Sequence, residues 1–152
     1  MRHTTGRWAL AAVSVAAATA LAAGCGGGSG TSTPSAADFV RRVTTEFSRG
    51  QAGRLWDELH PAEQAVVTRA RFIECEQNEG FRLRKFKVLE TYDETIDVAG
   101  TSVPSTAVSL EVTSDDGITT ATIHAVLVDG TWRWVLQPAD LAAYKRGACP
   151  SG

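Results

Sequence analysis

The period of the apolar positions shortens near Gly80. Before that point Phe39, Val40, Val43 and Phe47 mark one side of a 3.6-residue repeat, and Ser35 followed by Asp38 reads as a capping box. The spacing predicts a helix from Ala36 to Arg49, stopped by Gly50. Leu55, Trp56 and Leu59 continue at helical spacing from Gln51 to Leu59, until His60-Pro61 breaks the run. Proline suits the first position of a new helix. Two further short helical pieces are expected, at Ala62 to Thr68 and Arg71 to Gln77, ended by Asn78-Glu79-Gly80.

After Gly80 the repeat shortens to two and β-branched residues accumulate, so strands are predicted at Arg84 to Tyr92 with an extension toward Val98, at Ser105 to Ser114, at Ile118 to Val128 and at Thr131 to Leu136. Pro138 to Lys145 reads as a short closing helix that returns toward the helical half. Asp129-Gly130 is a strong two-residue hairpin signal. It pairs Val128 with Thr131, Leu127 with Trp132, Ala125 with Trp134 and Ile123 with Leu136. Treating Asp116-Gly117 in the same way pairs Val112 with Ala121, Leu110 with Ile123 and Val108 with Ala125. One face then gathers Val108, Leu110, Val112, Ala121, Ile123, Ala125, Leu127, Trp132, Trp134 and Leu136. The other gathers Ser109, Glu111, Thr113, Thr120, Thr122, His124 and Arg133, with Val126 and Val135 out of pattern. The expectation is an α+β fold: N-terminal helices packed on one side of a curved antiparallel sheet of about four strands.

Candidate chemistry is sparse on the apolar face. Trp132 and Trp134 lie on it and can line a pocket for an apolar ligand, with Trp56 beside them from the helical half. His60 sits at the break between helical runs. Glu90 and Tyr92 share the phase of Phe86 and Val88 in the first strand, which makes them the polar candidates for the interior. His124 and Glu111 fall on the outer face, diagonal to one another. A proton carrier tuned by desolvation would have to sit inside an apolar cavity, and the apolar face contains none. No nucleophile elbow, glycine-rich phosphate loop or metal-ligand spacing occurs, so neither a cofactor nor a metal is expected.

The N-terminus carries a different signal. Met1 to Arg7 holds Arg2 and Arg7 without an acid, Trp8 to Ala23 has no charge, and Leu21-Ala22-Ala23-Gly24-Cys25 follows. This resembles a bacterial lipoprotein signal, although leucine stands one place further from the cysteine than is usual there. The resemblance implies removal of residues 1–24, diacylation of Cys25 and anchoring on the extracytoplasmic face of the cell membrane, since two acyl chains on one residue hold where one is marginal. The uncharged run is too short for a spanning helix. Residues 25–35, almost all Gly, Ser and Thr, read as a tether, and 36–150 as one domain. Loss of Arg2 and Arg7, with all 17 acids retained, moves the net charge from −2 to −4, which leaves no footprint for nucleic acid.

With Cys25 assigned to lipid, Cys75 and Cys149 remain as an even pair in an exported chain and are expected to form a disulfide. The order of helices then sheet resembles the NTF2-like, cystatin-like cone as found in small actinobacterial lipoproteins. The likeness rests on Phe39 to Phe47, on Leu55-Trp56-Asp57-Glu58-Leu59-His60-Pro61, on Arg71-Phe72-Ile73-Glu74-Cys75 and on Asp129-Gly130-Thr131-Trp132-Arg133-Trp134. It implies a fold more than an activity. The reading that results is a lipid-anchored, non-catalytic binding or accessory module taking an apolar small ligand or a protein partner. Two alternatives stay open: an isomerase or hydratase using Glu90, Tyr92 or His60, and an interaction module that docks or homodimerises through the outer sheet face.

Overall fold

The computed structural model describes residues 33–78 and 83–150. The expected signal segment, the lipidation site Cys25 and most of the tether lie outside the described residues. Ser32 to Gly152 forms one compact unit.

Ser35 caps the first helix, α1 (Ala36–Ser48): its hydroxyl accepts from the Asp38 N–H, satisfying a donor that the helix cannot. Phe39, Val40 and Val43 are buried along one side of it. α2 (Ala52–Asp57) follows at once, then a single turn, α3 (Pro61–Gln64), and α4 (Arg69–Asn78). The expected helix from Ala62 to Thr68 is thus only a turn. Pro61 opens it, and Nδ1 of His60 accepts from the Ala62 N–H as its cap.

Four strands follow: β1 (Leu83–Val98), β2 (Thr101–Ser114), β3 (Gly117–Val128) and β4 (Thr131–Trp134), joined by hairpins into an open antiparallel sheet in chain order. A last helix, α5 (Pro138–Lys145), closes the chain. Asp129 and Gly130 both take positive φ, 49° and 75°, as a type I′ turn requires. They give the expected pairing of Val128, Leu127 and Ala125 with Thr131, Trp132 and Trp134. The ladder stops there, so the expected pair of Ile123 with Leu136 does not form.

The β2–β3 register differs from expectation by two residues. Ser114 pairs with Gly117 across Asp115-Asp116, so Val112 faces Thr119, Leu110 faces Ala121 and Val108 faces Ile123. The Ser114 hydroxyl accepts from the Asp116 N–H and draws the turn tight one position earlier than Asp116-Gly117 would place it. A shift of two preserves the faces. Val108, Leu110, Val112, Ala125 and Leu136 accordingly pack with Phe39, Val40, Leu55 and Phe72 of the helices in the main core, whereas Leu127, expected on the same face, is exposed at the strand end.

β1 carries the larger departure. Its register slips between Val88, paired with Leu110, and Glu90, paired with Ser109, so that Leu89 is an extra residue. One inserted residue exchanges the faces of everything beyond it. Beyond the bulge β1 and β2 run past the last β2–β3 pair, Thr106 with Ala125. Ile96, Val98 and Val103 from this extension pack against Val126, Val135 and Ala62 in a second cluster. That cluster accounts for the two valines that broke the pattern of the outer face.

Candidate ligand cavity

A cavity of about 630 Å³ opens between the C-terminal half of α1, the helix-facing side of β2 and β3, and the segment after β4. Its apolar walls come from Val43 and Phe47 of α1, Leu110 and Val112 of β2, Ile123 of β3 and Trp134 of β4. The helical period that aims Val43 and Phe47 at the sheet and the strand period that aims Leu110, Val112 and Ile123 back are what the sequence displays as its two repeats. Polar groups are few: Thr44, whose hydroxyl is used internally on the Val40 carbonyl, Glu76, three threonines of β3, Gln137 and Asp140.

Trp134 fixes the floor. Its Nε1 donates to the Leu55 carbonyl at 2.7 Å, and its ring packs tilted against Phe72, 6.0 Å between centroids at an interplanar angle of 57°. The C-terminal wall is pinned at several points. The sulfurs of Cys75 and Cys149 stand at disulfide distance, 2.08 Å, and their sequence neighbours Glu76 and Pro150 both border the cavity. Arg71 Nη2 donates to the Gly147 carbonyl at 2.8 Å, and Gln137 Nε2 to the Thr122 carbonyl at 2.8 Å. Burial raises the pKa of Asp140 above the usual carboxylate value.

Of the residues singled out from sequence, only Trp134 borders this cavity. Trp132 lies on the same face but toward the hairpin end, its Nε1 donating to the Pro34 carbonyl at 2.7 Å. Trp56 is spent on structure: Nε1 donates to the Val67 carbonyl at 2.9 Å, and its own carbonyl accepts from Gln64 Nε2. His60 caps α3, and its pKa is lowered by partial burial and then by the charge of Arg133. Glu90 and Tyr92 do not face the interior. The bulge at Leu89 turns them to the opposite side, where both are exposed, opposite Ser109 and Ala107. His124 is on that outer side as expected, but its partner is Glu94 rather than Glu111, with Nε2 2.7 Å from Oε1. The two-residue register shift takes Glu111 away to Thr120 and leaves His124 beside Ala107, small enough for Glu94 to reach over.

Two acids that the sequence does not single out are buried, Glu46 on α1 and Glu63 on α3. Glu63, 2 % exposed, accepts the Leu136 N–H at 2.9 Å and so fastens the segment after β4 to α3. Desolvation pushes its pKa up to about 7 against that hydrogen bond and the charge of Lys145. Among the described residues no three His, Cys, Asp or Glu side chains stand close enough to hold a metal ion, and no helix is long and apolar enough to cross a membrane. No protein-family model and no curated protein matches this chain.

Proposed function

We propose that this chain is a lipid-anchored, extracytoplasmic module of the NTF2-like kind that binds a small, largely apolar ligand between α1 and the sheet without transforming it. The observation that carries the reading is the cavity itself. Its volume of about 630 Å³ falls in the range of sites that enclose a small molecule, and its walls are mostly aliphatic and aromatic with a few polar groups among them. Elements from both halves of the fold build it, and the cysteine pair ties down the wall that would otherwise be a free chain end. The His124–Glu94 pair belongs to the other face of the sheet and does not serve this site.

The test uses the unit beginning at Ser32 and the neutral fluorophore N-phenyl-1-naphthylamine. Saturable binding of one probe per chain is expected, in the micromolar range typical of a modest apolar site. Ala121 lines the cavity and is half-buried, so Ala121→Trp fills the space with an indole and abolishes the signal while the circular dichroism spectrum stays that of the parent. Non-saturating binding, or equal binding by Ala121→Trp, contradicts the reading.

A further inference from the structure

The sheet wall of the cavity is an edge as well as a face. β4 ends at Trp134, opposite Ala125, so β3 from Gly117 to His124 has a strand neighbour on the β2 side only. Five consecutive residues of that stretch, Thr119 to Ile123, border the cavity. Side chains alternate between the two faces of a strand, so an unbroken run can border one cavity only where the strand turns its edge toward it.

The ladder fixes which main-chain groups that edge presents. Ser114 pairs with Gly117 across a two-residue turn, and in an antiparallel ladder alternate residues direct N–H and C=O to the same neighbour. Thr119, Ala121 and Ile123 therefore bond toward β2, and Thr120 and Thr122 present their groups to the open side. Gln137 independently marks this phase, because its side-chain amide donates to the Thr122 carbonyl where the N–H of an added strand would donate. From Gly117 to Ile123 the edge carries no charged residue and no proline, the usual devices that keep another chain off.

Building on the ligand-binding role assigned to this cavity, we propose that the occupant is an extended apolar peptide that adds to β3 as a strand, pairing with the main chain at Thr120 and placing a positively charged end beside Asp140. A plain hydrocarbon displacing water from the edge would leave the Thr120 N–H and carbonyl without partners, whereas a peptide supplies both, and beyond Thr120 it takes the place that the Gln137 amide holds on the Thr122 carbonyl. Alternate side chains of such a strand enter the apolar space in front of Phe47 and Val112, and the others point away. Asp140 supplies the charge complement: it borders the same cavity and forms no salt bridge among the described residues. The edge of a second folded copy would bring its neighbouring strand with it, into a cavity of only about 630 Å³.

Calorimetry with the hexapeptide Lys-Val-Thr-Leu-Thr-Val amide tests this, alongside two isomers N-methylated at alternate residues, one on each backbone edge. The parent peptide is expected to bind, one isomer to match it and the other to lose at least about tenfold. Thr120→Pro, which deletes an edge N–H at a site where an edge strand tolerates proline, is expected to show a similar loss for the parent peptide. Equal binding by both isomers, equal loss by both, or undiminished binding by a folded Thr120→Pro overturns the proposal. Naphthylamine binding without peptide binding overturns it and leaves the cavity reading intact; binding of neither removes both.

Discussion

At Glu63 the local sequence and the folded position disagree. An acid two residues after the proline that opens a helix ordinarily faces solvent near the positive end of the helix dipole. Here the helix is a single turn wedged against the end of the sheet, and the side chain goes inward to the Leu136 N–H. The folded state therefore holds a proton more tightly than the unfolded chain does, with a pKa of about 7 against 4.5. Stability from this group is fully present below pH 4.5 and is lost as the pH rises toward 7, a change of about 3 kcal/mol for a shift of this size. Glu63→Gln keeps an acceptor for Leu136 without the charge. Urea unfolding of this variant is expected to show a higher midpoint than the parent at pH 8 and a flatter pH dependence between 4.5 and 7. An unchanged slope would show that Glu63 does not titrate in this range. Nothing in the sequence sets Glu63 apart from the other acids, because its burial comes from a contact 73 residues away.

At the scale of elements, the repeats of two and 3.6 are enough to place five helical runs, four strands and the face that meets the helices. The Asp129-Gly130 hairpin is legible to the residue, because a type I′ turn demands residues that tolerate positive φ. Two features are not. The β2–β3 turn sits over Asp115-Asp116, and adjacent Asp-Asp-Gly admits either placement until Ser114 decides it. The bulge at Leu89 leaves no mark in a strand where Lys85, Lys87, Glu90 and Asp93 already mix with apolar residues, so periodicity alone puts Glu90 and Tyr92 on the wrong side of the sheet. The cysteine pair also acts at this scale, closing a span of 74 residues and holding α4 to the chain's end. Chain-entropy reasoning puts such a closure at about 4 kcal/mol. The double variant Cys75→Ser/Cys149→Ser is expected to unfold at lower urea by roughly that amount, and hydrogen exchange should quicken first in residues 137–150, loosening the cavity's C-terminal wall. Exchange that quickens evenly over the whole chain would mean that the pair is not a local clamp.

Over the whole molecule, the proposed membrane anchor and the proposed binding domain are separated in sequence by residues 26–35, almost all Gly, Ser and Thr. The anchor rests on the charge pattern before Cys25, which lies outside the described residues. Full-length protein expressed in a bacterial host with lipoprotein processing is expected to partition into detergent with a diacylated Cys25 at its N-terminus, and Cys25→Ala to stay in the aqueous phase. Retention of residues 1–24 on the wild-type protein would contradict the anchor. The binding domain is the central claim, and isotope-labelled methyl spectra of the unit beginning at Ser32, titrated with N-phenyl-1-naphthylamine, test it most directly. Saturable shifts should be confined to methyl groups that border the cavity, those of Val43, Leu110, Val112 and Ile123 among them, while Val98, Val103 and Val126 of the second cluster, which do not border it, stay still. Shifts centred on the second cluster, or none at a probe concentration that saturates fluorescence, would contradict it.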